Sequence, residues 1–162
     1  MRSLPLILGL LLAGGLGLTP TWIEPTAEPL GNYVGTTACA GCHEAAVSAW
    51  QQTRHAHAYE SLKKSAQEGL PECLRCHVTG YEQPGGFVDL ELTPELRDVQ
   101  CEQCHGPRKA HVESAGAGVG SAVTPTETAC RQCHTAGQDK SFDYTKKSKL
   151  VHATRASLET RP

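Results

Sequence analysis

The sequence predicts a mainly α fold with little regular structure, in which short helices surround an interior that side chains alone do not fill. Three observations predict it. Few side chains are available to form a hydrophobic core, because only 39% of the 162 residues are hydrophobic and 5% are aromatic. Helix start and stop signals recur at short intervals along the chain. Each of the eight cysteines has a second cysteine three residues away. The length fits one compact domain.

The eight cysteines form four Cys-x-x-Cys-His motifs, the attachment signal of c-type haem. Two cysteines three residues apart lie one helical turn from each other, which matches two vinyl groups on one porphyrin edge, and the next residue points its imidazole at the iron. Zinc is the alternative, but zinc ribbons do not require a histidine after each cysteine pair. The motifs therefore predict four covalent haem c groups. The attaching residues are Cys39, Cys42 and His43; Cys73, Cys76 and His77; Cys101, Cys104 and His105; and Cys130, Cys133 and His134.

Four flat, apolar macrocycles would supply the missing interior, with short helices wrapped around them. Ahead of motif four, Thr124 is expected to cap a helix that has Pro125 at its first position. Thr93-Pro94 opens a similar turn before motif three, and Gly106-Pro107 ends the helix that follows.

Three longer segments complete the secondary-structure prediction. The chain from His43 to about Lys64 is predicted to be one helix, with an apolar face that includes Trp50. Phe87 to Leu92 follows a Pro-Gly-Gly turn and is predicted to form one short strand. Residues Ser114 to Val123 are rich in Gly, Ala and Ser and are predicted to form a flexible loop.

Four histidines outside the motifs are candidate distal ligands: His55, His57, His111 and His152. The only methionine is Met1, so we expect the haems to be bis-histidine or five-coordinate and of low potential. His55 and His57 project about 200° apart on a helix and cannot bind the same iron.

The spacing of these histidines limits the haems they can reach. His55 continues the helix that holds His43 and is expected to reach a different haem. His111 follows His105 too closely to bind the same iron, whereas His152 is far enough from His134 to wrap back to haem four. For His57, a surface position is the alternative to ligation.

The N-terminus has the features of an export signal. Arg2 precedes an apolar run from Leu4 to Leu18, and residues 1–23 are predicted to be a signal peptide or an N-terminal membrane anchor. The remaining chain, with a haem domain over residues 33–155, is expected in the periplasm or another extracytoplasmic space. A net charge of −2 argues against nucleic acid as a partner.

Several stretches resemble the tetrahaem cytochrome c-554 family. They are Cys39 to Lys63, with Trp50, His55, Ala58 and Glu60-Ser61-Leu62 at fixed offsets; Cys76-His77-Val78-Thr79-Gly80-Tyr81 followed by Gly85-Gly86; Cys104-His105-Gly106-Pro107 with His111; and Phe142 leading to His152. The chain departs from the family pattern in being shorter between and after its last motifs, and in having His57.

The resemblance implies a mainly α fold with four closely stacked haems and an electron-shuttling function, in the best-known members from hydroxylamine oxidoreductase. It also implies His55 as a ligand of haem three, His111 of haem one and His152 of haem four. Haem two, on His77, can lack a distal ligand in this family.

The expected function is therefore electron transfer between redox partner proteins through four low-potential haems. The alternative is a haem enzyme that acts on nitric oxide or hydroxylamine at a five-coordinate haem two. A filament-forming role is a third possibility. Carriers are favoured, because no acid–base constellation surrounds His77 in the sequence. Lys63-Lys64 and Lys146-Lys147-Lys149 are candidate docking charges.

Overall fold

A computed structural model describes residues 32–117 and 124–152, and over these ranges the chain is a succession of short helices. The α-helices are α1 Gly35–Ala40, α2 Glu44–Gln51, α3 Ala58–Lys64, α4 Pro71–His77, α5 Cys101–His105, α6 Lys109–Glu113, α7 Glu127–Arg131 and α8 Tyr144–Lys147. Three 3-10 helices span Arg54–His57, Pro94–Leu96 and Ser148–Leu150. The mainly α class with little regular structure is confirmed.

Some sequence predictions lie outside the described residues. These are the export segment 1–23, residues 118–123 of the predicted flexible loop and residues 153–155 of the predicted domain. Within the ranges that are described, every helix is too short or too polar to cross a bilayer.

The strand predicted for Phe87 to Leu92 is wrong. The carboxylate of Asp89 accepts hydrogen bonds from the backbone N–H groups of Glu91 and Leu92, both at 2.8 Å, and bends this segment into a turn. Aspartate commonly makes such turns, and they compete with extended pairing. In the described chain, strand-like pairing is limited to one isolated bridge between Val78 and Arg97.

The single helix predicted from His43 to about Lys64 is also wrong, because the chain breaks after α2. Thr53 is extended at φ −92° and ψ 163°, and a 3-10 turn leads into α3. The break allows two hydrogen bonds with the backbone of Val99. The Trp50 indole N–H donates to the Val99 carbonyl at 2.8 Å, and the Val99 N–H donates to the His55 carbonyl at 3.1 Å. These contacts outside the helix outweigh the local helix preference of the segment.

The start and stop signals are partly correct. Thr93 occupies the N-cap position of the short helix that begins at Pro94, without a side-chain capping bond, and α5 ends at Gly106, whose φ of +73° favours glycine. The cap of α7 is Thr126, whose hydroxyl accepts from the N–H of Ala129 at 3.4 Å, and not the predicted Thr124.

A small apolar core lies behind motif two. It buries side chains from α3, α4, the loop after α4 and the 3-10 helix Pro94–Leu96: Tyr59, Leu62, Leu74, Val78, Phe87 and Leu96. Tyr59 and Phe87 make a tilted ring contact at 5.9 Å. Because this core joins α3 to α4, it fixes motif two against the segment that follows motif one.

Candidate haem-binding site

Each motif forms one turn of helix, the conformation that haem attachment requires. Motifs two and three lie within α4 and α5. Motifs one and four continue past the ends of α1 and α7, where the N–H groups of His43 and His134 donate to the carbonyls of Cys39 and Cys130 at 2.9 Å. The two thiols of every motif therefore lie one turn apart.

Six of the eight histidines lie in three facing pairs. The ring centroids of His43 and His111 are 6.3 Å apart, those of His55 and His134 are 5.9 Å apart, and those of His105 and His152 are 6.0 Å apart. An imidazole nitrogen binds a metal ion at about 2.0 Å, so two rings that bind one ion from opposite sides have centroids about 6 Å apart. Each pair thus fits bis-histidine coordination of one iron.

Two of the ligand assignments implied by the family resemblance differ from these pairs. His55 faces His134 of motif four rather than motif three, and His152 faces His105 of motif three rather than motif four. Motifs three and four are adjacent: a cavity of about 270 Å³ is lined by Cys104, His105, Cys130, His55 and His152, among others. Because the two motifs are adjacent, the spacing of His55 and His152 along the chain is compatible with either motif as the partner of each histidine. His111 faces His43 of motif one, as the resemblance implies.

Burial favours the neutral, metal-binding form of two distal histidines. It lowers the pKa of His55 and that of His152 below their ordinary value, and the positive charge of the facing histidine, His134 or His105, lowers each further.

His77 differs from the other motif histidines, because no described imidazole faces its ring in this way. Its Nδ1 lies 2.8 Å from the Ala58 carbonyl and 3.2 Å from the Ser61 hydroxyl. An Nδ1–H that donates to a carbonyl leaves Nε2 to bind iron. His57 is exposed and lines a separate small cavity with Asp98.

His134 has a charged partner. Its Nδ1 donates to the carboxylate of Asp139 at 3.0 Å, and the Lys147 ammonium donates to the same oxygen at 2.9 Å. The hydrogen bond from Lys147, with smaller contributions from His134 and Ser141, lowers the pKa of Asp139 to about 2. Phe142 stacks on the His134 ring with centroids 4.4 Å apart.

The thiols bring the four motifs together in two pairs. The Cys39 thiol lies beside that of Cys101, and their interaction raises the pKa of Cys39 and lowers that of Cys101 to about 6. Motifs one and three are therefore neighbours.

Motifs two and four form the second pair. The Cys76 thiol lies 4.0 Å from the Gln132 carbonyl, and the Cys133 thiol lies 3.8 Å from the Arg75 carbonyl. Burial, followed by the neighbouring Cys76 thiol, raises the pKa of Cys133.

Sequence reasoning missed the residues that connect motif one to motif three. The Glu102 carboxylate is 2% exposed and accepts backbone hydrogen bonds from Val34, Gly35 and Arg108. The Gln100 amide oxygen accepts from the N–H of Thr36. Glu102 occupies a variable position of its motif, and no sequence signal distinguishes it from an exposed carboxylate.

Asp139 was also missed, because it lies five residues from His134 in an irregular loop where spacing predicts no contact. No group of three or more His, Cys, Asp or Glu side chains suited to a metal ion occurs within 32–117 and 124–152.

Comparisons with known proteins agree with this site. The family model described as cytochrome c554 and c-prime matches residues 38–106. Cytochrome c-554 of Nitrosomonas europaea is 34% identical over 90 residues, which cover 46% of this chain and 38% of the relative. The chain thus matches less than half the length of that curated relative.

A solved structure gives a longer match. The reduced state of cytochrome c554 from Nitrosomonas europaea aligns over 75% of this chain and 84% of its own, with a TM-score of 0.56 and 28% identity. The helical turns with their cysteine pairs, the facing histidines and these matches define a c-type cytochrome, which binds haem c covalently. Within that class, the chain is similar to cytochrome c-554 in the sequence of residues 38–106 and in its fold.

Proposed function

We propose that this protein is a periplasmic electron carrier that relays electrons through four covalently bound, low-potential c-type haems. The observation that carries the proposal is the arrangement of three histidine pairs with ring centroids 5.9 to 6.3 Å apart, each pair including one motif histidine. The four attachment motifs account for all eight cysteines.

The ligand set supports low potentials. Three of the four motif histidines each face a histidine from outside the motifs. The only methionine in the sequence is Met1. A methionine ligand raises the potential of a c-type haem, so irons held by imidazoles alone have lower potentials. Location in the periplasm rests on the sequence prediction of an export signal over residues 1–23.

The packing of the motifs supports a relay rather than four isolated centres. The helix that leads into motif one lies beside motif three, with the Thr36 hydroxyl 3.7 Å from the Cys101 sulfur. Motif two touches motif four, with the Cys76 sulfur 4.0 Å from the Gln132 carbonyl and the Cys133 sulfur 3.8 Å from the Arg75 carbonyl. His55, from the segment after motif one, reaches His134 of motif four and connects the two pairs of motifs. Electrons would therefore pass between closely spaced haems across the whole domain.

Redox partner proteins are part of the proposal, and most of the candidate docking lysines have local ion-pair partners. The distances from the lysine Nζ to the nearest carboxylate oxygen show three such pairs. They are 3.8 Å for Lys63 and Glu60, 3.3 Å for Lys146 and Asp143, and 2.9 Å for Lys147 and Asp139. These pairs offset much of the positive charge of both lysine runs. Docking that depends on these runs is therefore expected to be weakly salt-dependent.

One observation favours a second candidate function, a haem enzyme that binds nitric oxide or hydroxylamine at haem two. The side of His77 that carries Nδ1 lies against Ala58, so Nε2 and the iron lie on the opposite side. His57 immediately precedes Ala58 in the chain and is exposed. This placement supports an open iron at haem two, where a small molecule binds without displacing a ligand.

The test combines mass spectrometry with EPR of the oxidised protein. The intact denatured protein is expected to carry four haems, and a lower number or bound zinc would overturn the proposal. One high-spin haem among four, unchanged in His57→Ala, supports an open haem two. If the wild type is entirely low-spin and His57→Ala creates a high-spin haem, His57 is a ligand and the enzyme candidate fails.

A further inference from the structure

The Nδ1 atoms of two motif histidines face hydrogen-bond acceptors of different charge. Nδ1 of His77 lies against the neutral carbonyl of Ala58 at 2.8 Å, whereas Nδ1 of His134 lies against the carboxylate of Asp139 at 3.0 Å. Hydrogen bonds from a ligating histidine to a second residue orient the ring and raise its basicity. A carboxylate does so more strongly than a carbonyl, because it favours partial transfer of the Nδ1 proton.

Asp139 is held in place from several sides. Its N–H donates to the Thr135 carbonyl at 2.8 Å, the Ser141 hydroxyl donates to Oδ1 at 3.1 Å, and the Lys147 ammonium contacts both oxygens at 2.9 and 3.3 Å. Its side chain is 22% exposed. The carboxylate is therefore fixed against the ring rather than free to turn into solvent.

The His134 ring is fixed on its face as well. Phe142 stacks on it with an interplanar angle of 17°, and the cationic groups of Arg131 and Lys147 lie 4.9 and 5.7 Å from the centre of the Phe142 ring. Lys147 thus contacts both Asp139 and Phe142, the two residues that orient His134.

We propose that Asp139 is a positioning residue that lowers the reduction potential of the haem bound by His134 and His55, and that Lys147 limits this effect. The inference rests on the proposed function. A redox partner protein would supply the one electron that takes this haem from Fe(III) to Fe(II), with no covalent bond formed or broken. A more basic His134 stabilises Fe(III) relative to Fe(II), which lowers the potential. Lys147 withdraws charge from the carboxylate and acts in the opposite direction.

The two variants are predicted to have opposite effects. Asp139→Asn keeps a hydrogen-bond acceptor but removes the charge, so the potential of this haem shifts to more positive values. Lys147→Gln removes the competing cation, so the same potential shifts to more negative values. A merely structural role would not give shifts of opposite sign.

The experiment is an EPR-monitored potentiometric titration of the four-haem holoprotein. His55→Ala removes the distal ligand and so identifies which low-spin signal belongs to the haem of His134. Asp143→Asn and Lys146→Gln are the matched controls. They make the same charge changes in an exposed ion pair of the same segment, and asparagine preserves the cap that Asp143 provides for α8.

The expected result is a positive shift of one couple in Asp139→Asn and a negative shift of that couple in Lys147→Gln, both larger than in the controls. The g values of the identified signal should change in Asp139→Asn as well. Shifts equal to those of the controls, or of the same sign in both variants, would overturn the inference. If Asp139→Asn does not fold, the sign of the Lys147→Gln shift decides. Loss of haem in the wild type would instead refute the proposed function.

Discussion

Replacing Glu102 with Gln is predicted to be strongly destabilising, because this carboxylate joins three chain segments. Oε2 accepts from the N–H groups of Val34 and Gly35 at 3.0 and 2.8 Å, and Oε1 accepts from the N–H of Arg108 at 2.8 Å. The side chain is 2% exposed, so water does not easily replace a lost acceptor. Glutamine retains one oxygen and places an NH₂ group where the other was.

The magnitude follows from the lost and weakened bonds. One backbone N–H then faces a donor and loses its acceptor, which costs about 2 kcal/mol. The bonds that remain lose the charge of the carboxylate, which costs roughly another 1 kcal/mol. The free energy of unfolding should therefore fall by about 3 kcal/mol, and by more in Glu102→Ala, against a total of about 5–15 kcal/mol for a typical domain.

Guanidinium denaturation of the holoprotein, followed by far-UV circular dichroism, measures this difference. The control is Glu91→Gln, which makes the same chemical change at an exposed loop position and should stay within about 0.5 kcal/mol of the wild type. Equal stability of Glu102→Gln and the control would refute the reasoning, because it would mean that the three N–H groups find other acceptors at no cost.

Three further predictions concern packing, a hydrogen bond and the haem potentials. Gly86→Ala should lower the free energy of unfolding by about 3 kcal/mol, because a Cβ would lie 1.7 Å from the Gly80 carbonyl oxygen, whereas Gly69→Ala has open space outside the attachment motifs and should be neutral or slightly stabilising in the same denaturation assay. Trp50→Phe should cost about 1–3 kcal/mol by leaving the Val99 carbonyl without its indole donor, and an unchanged denaturation midpoint would contradict this. All haem couples should titrate below those of His/Met cytochromes c, and a single couple in that higher range would contradict imidazole-only ligation.

Local chemistry made the attachment motifs and several helix ends predictable from sequence. A Cys-x-x-Cys-His motif needs only one helical turn, and Gly106 ends α5 through its own positive φ. Longer segments were predicted less well, because contacts distant in sequence decide them. The break after α2 depends on Val99, and the turn at Asp89 replaces a strand that the apolar pattern favoured.

The pairing of histidines shows the same limit. Chain geometry predicts that His55 and His111 reach motifs other than their nearest ones. The structure agrees, because His55 faces His134 and His111 faces His43. His55 and His152 each face one of two adjacent motifs, three and four. The packing of these motifs decides which histidine faces which motif, and sequence spacing does not contain that information. Asp139 was unpredictable for a related reason, since an irregular loop has no fixed contact period.

The histidine pairs also bear on what holds this fold together. Among the residues that the structure describes, the apolar core behind motif two consists of six buried side chains, and none of them belongs to the segments that carry His111, His134 or His152. In the proposed holoprotein, each bis-histidine iron joins two segments far apart in sequence and so closes a long loop, as a disulfide or a structural metal does in other small domains. Because the loops cross, with His55 reaching past motif three to motif four and His152 returning to motif three, each link restricts the others. In the proposed function, stability and electron transfer would therefore depend on the same residues, and replacing a distal histidine is expected to affect both.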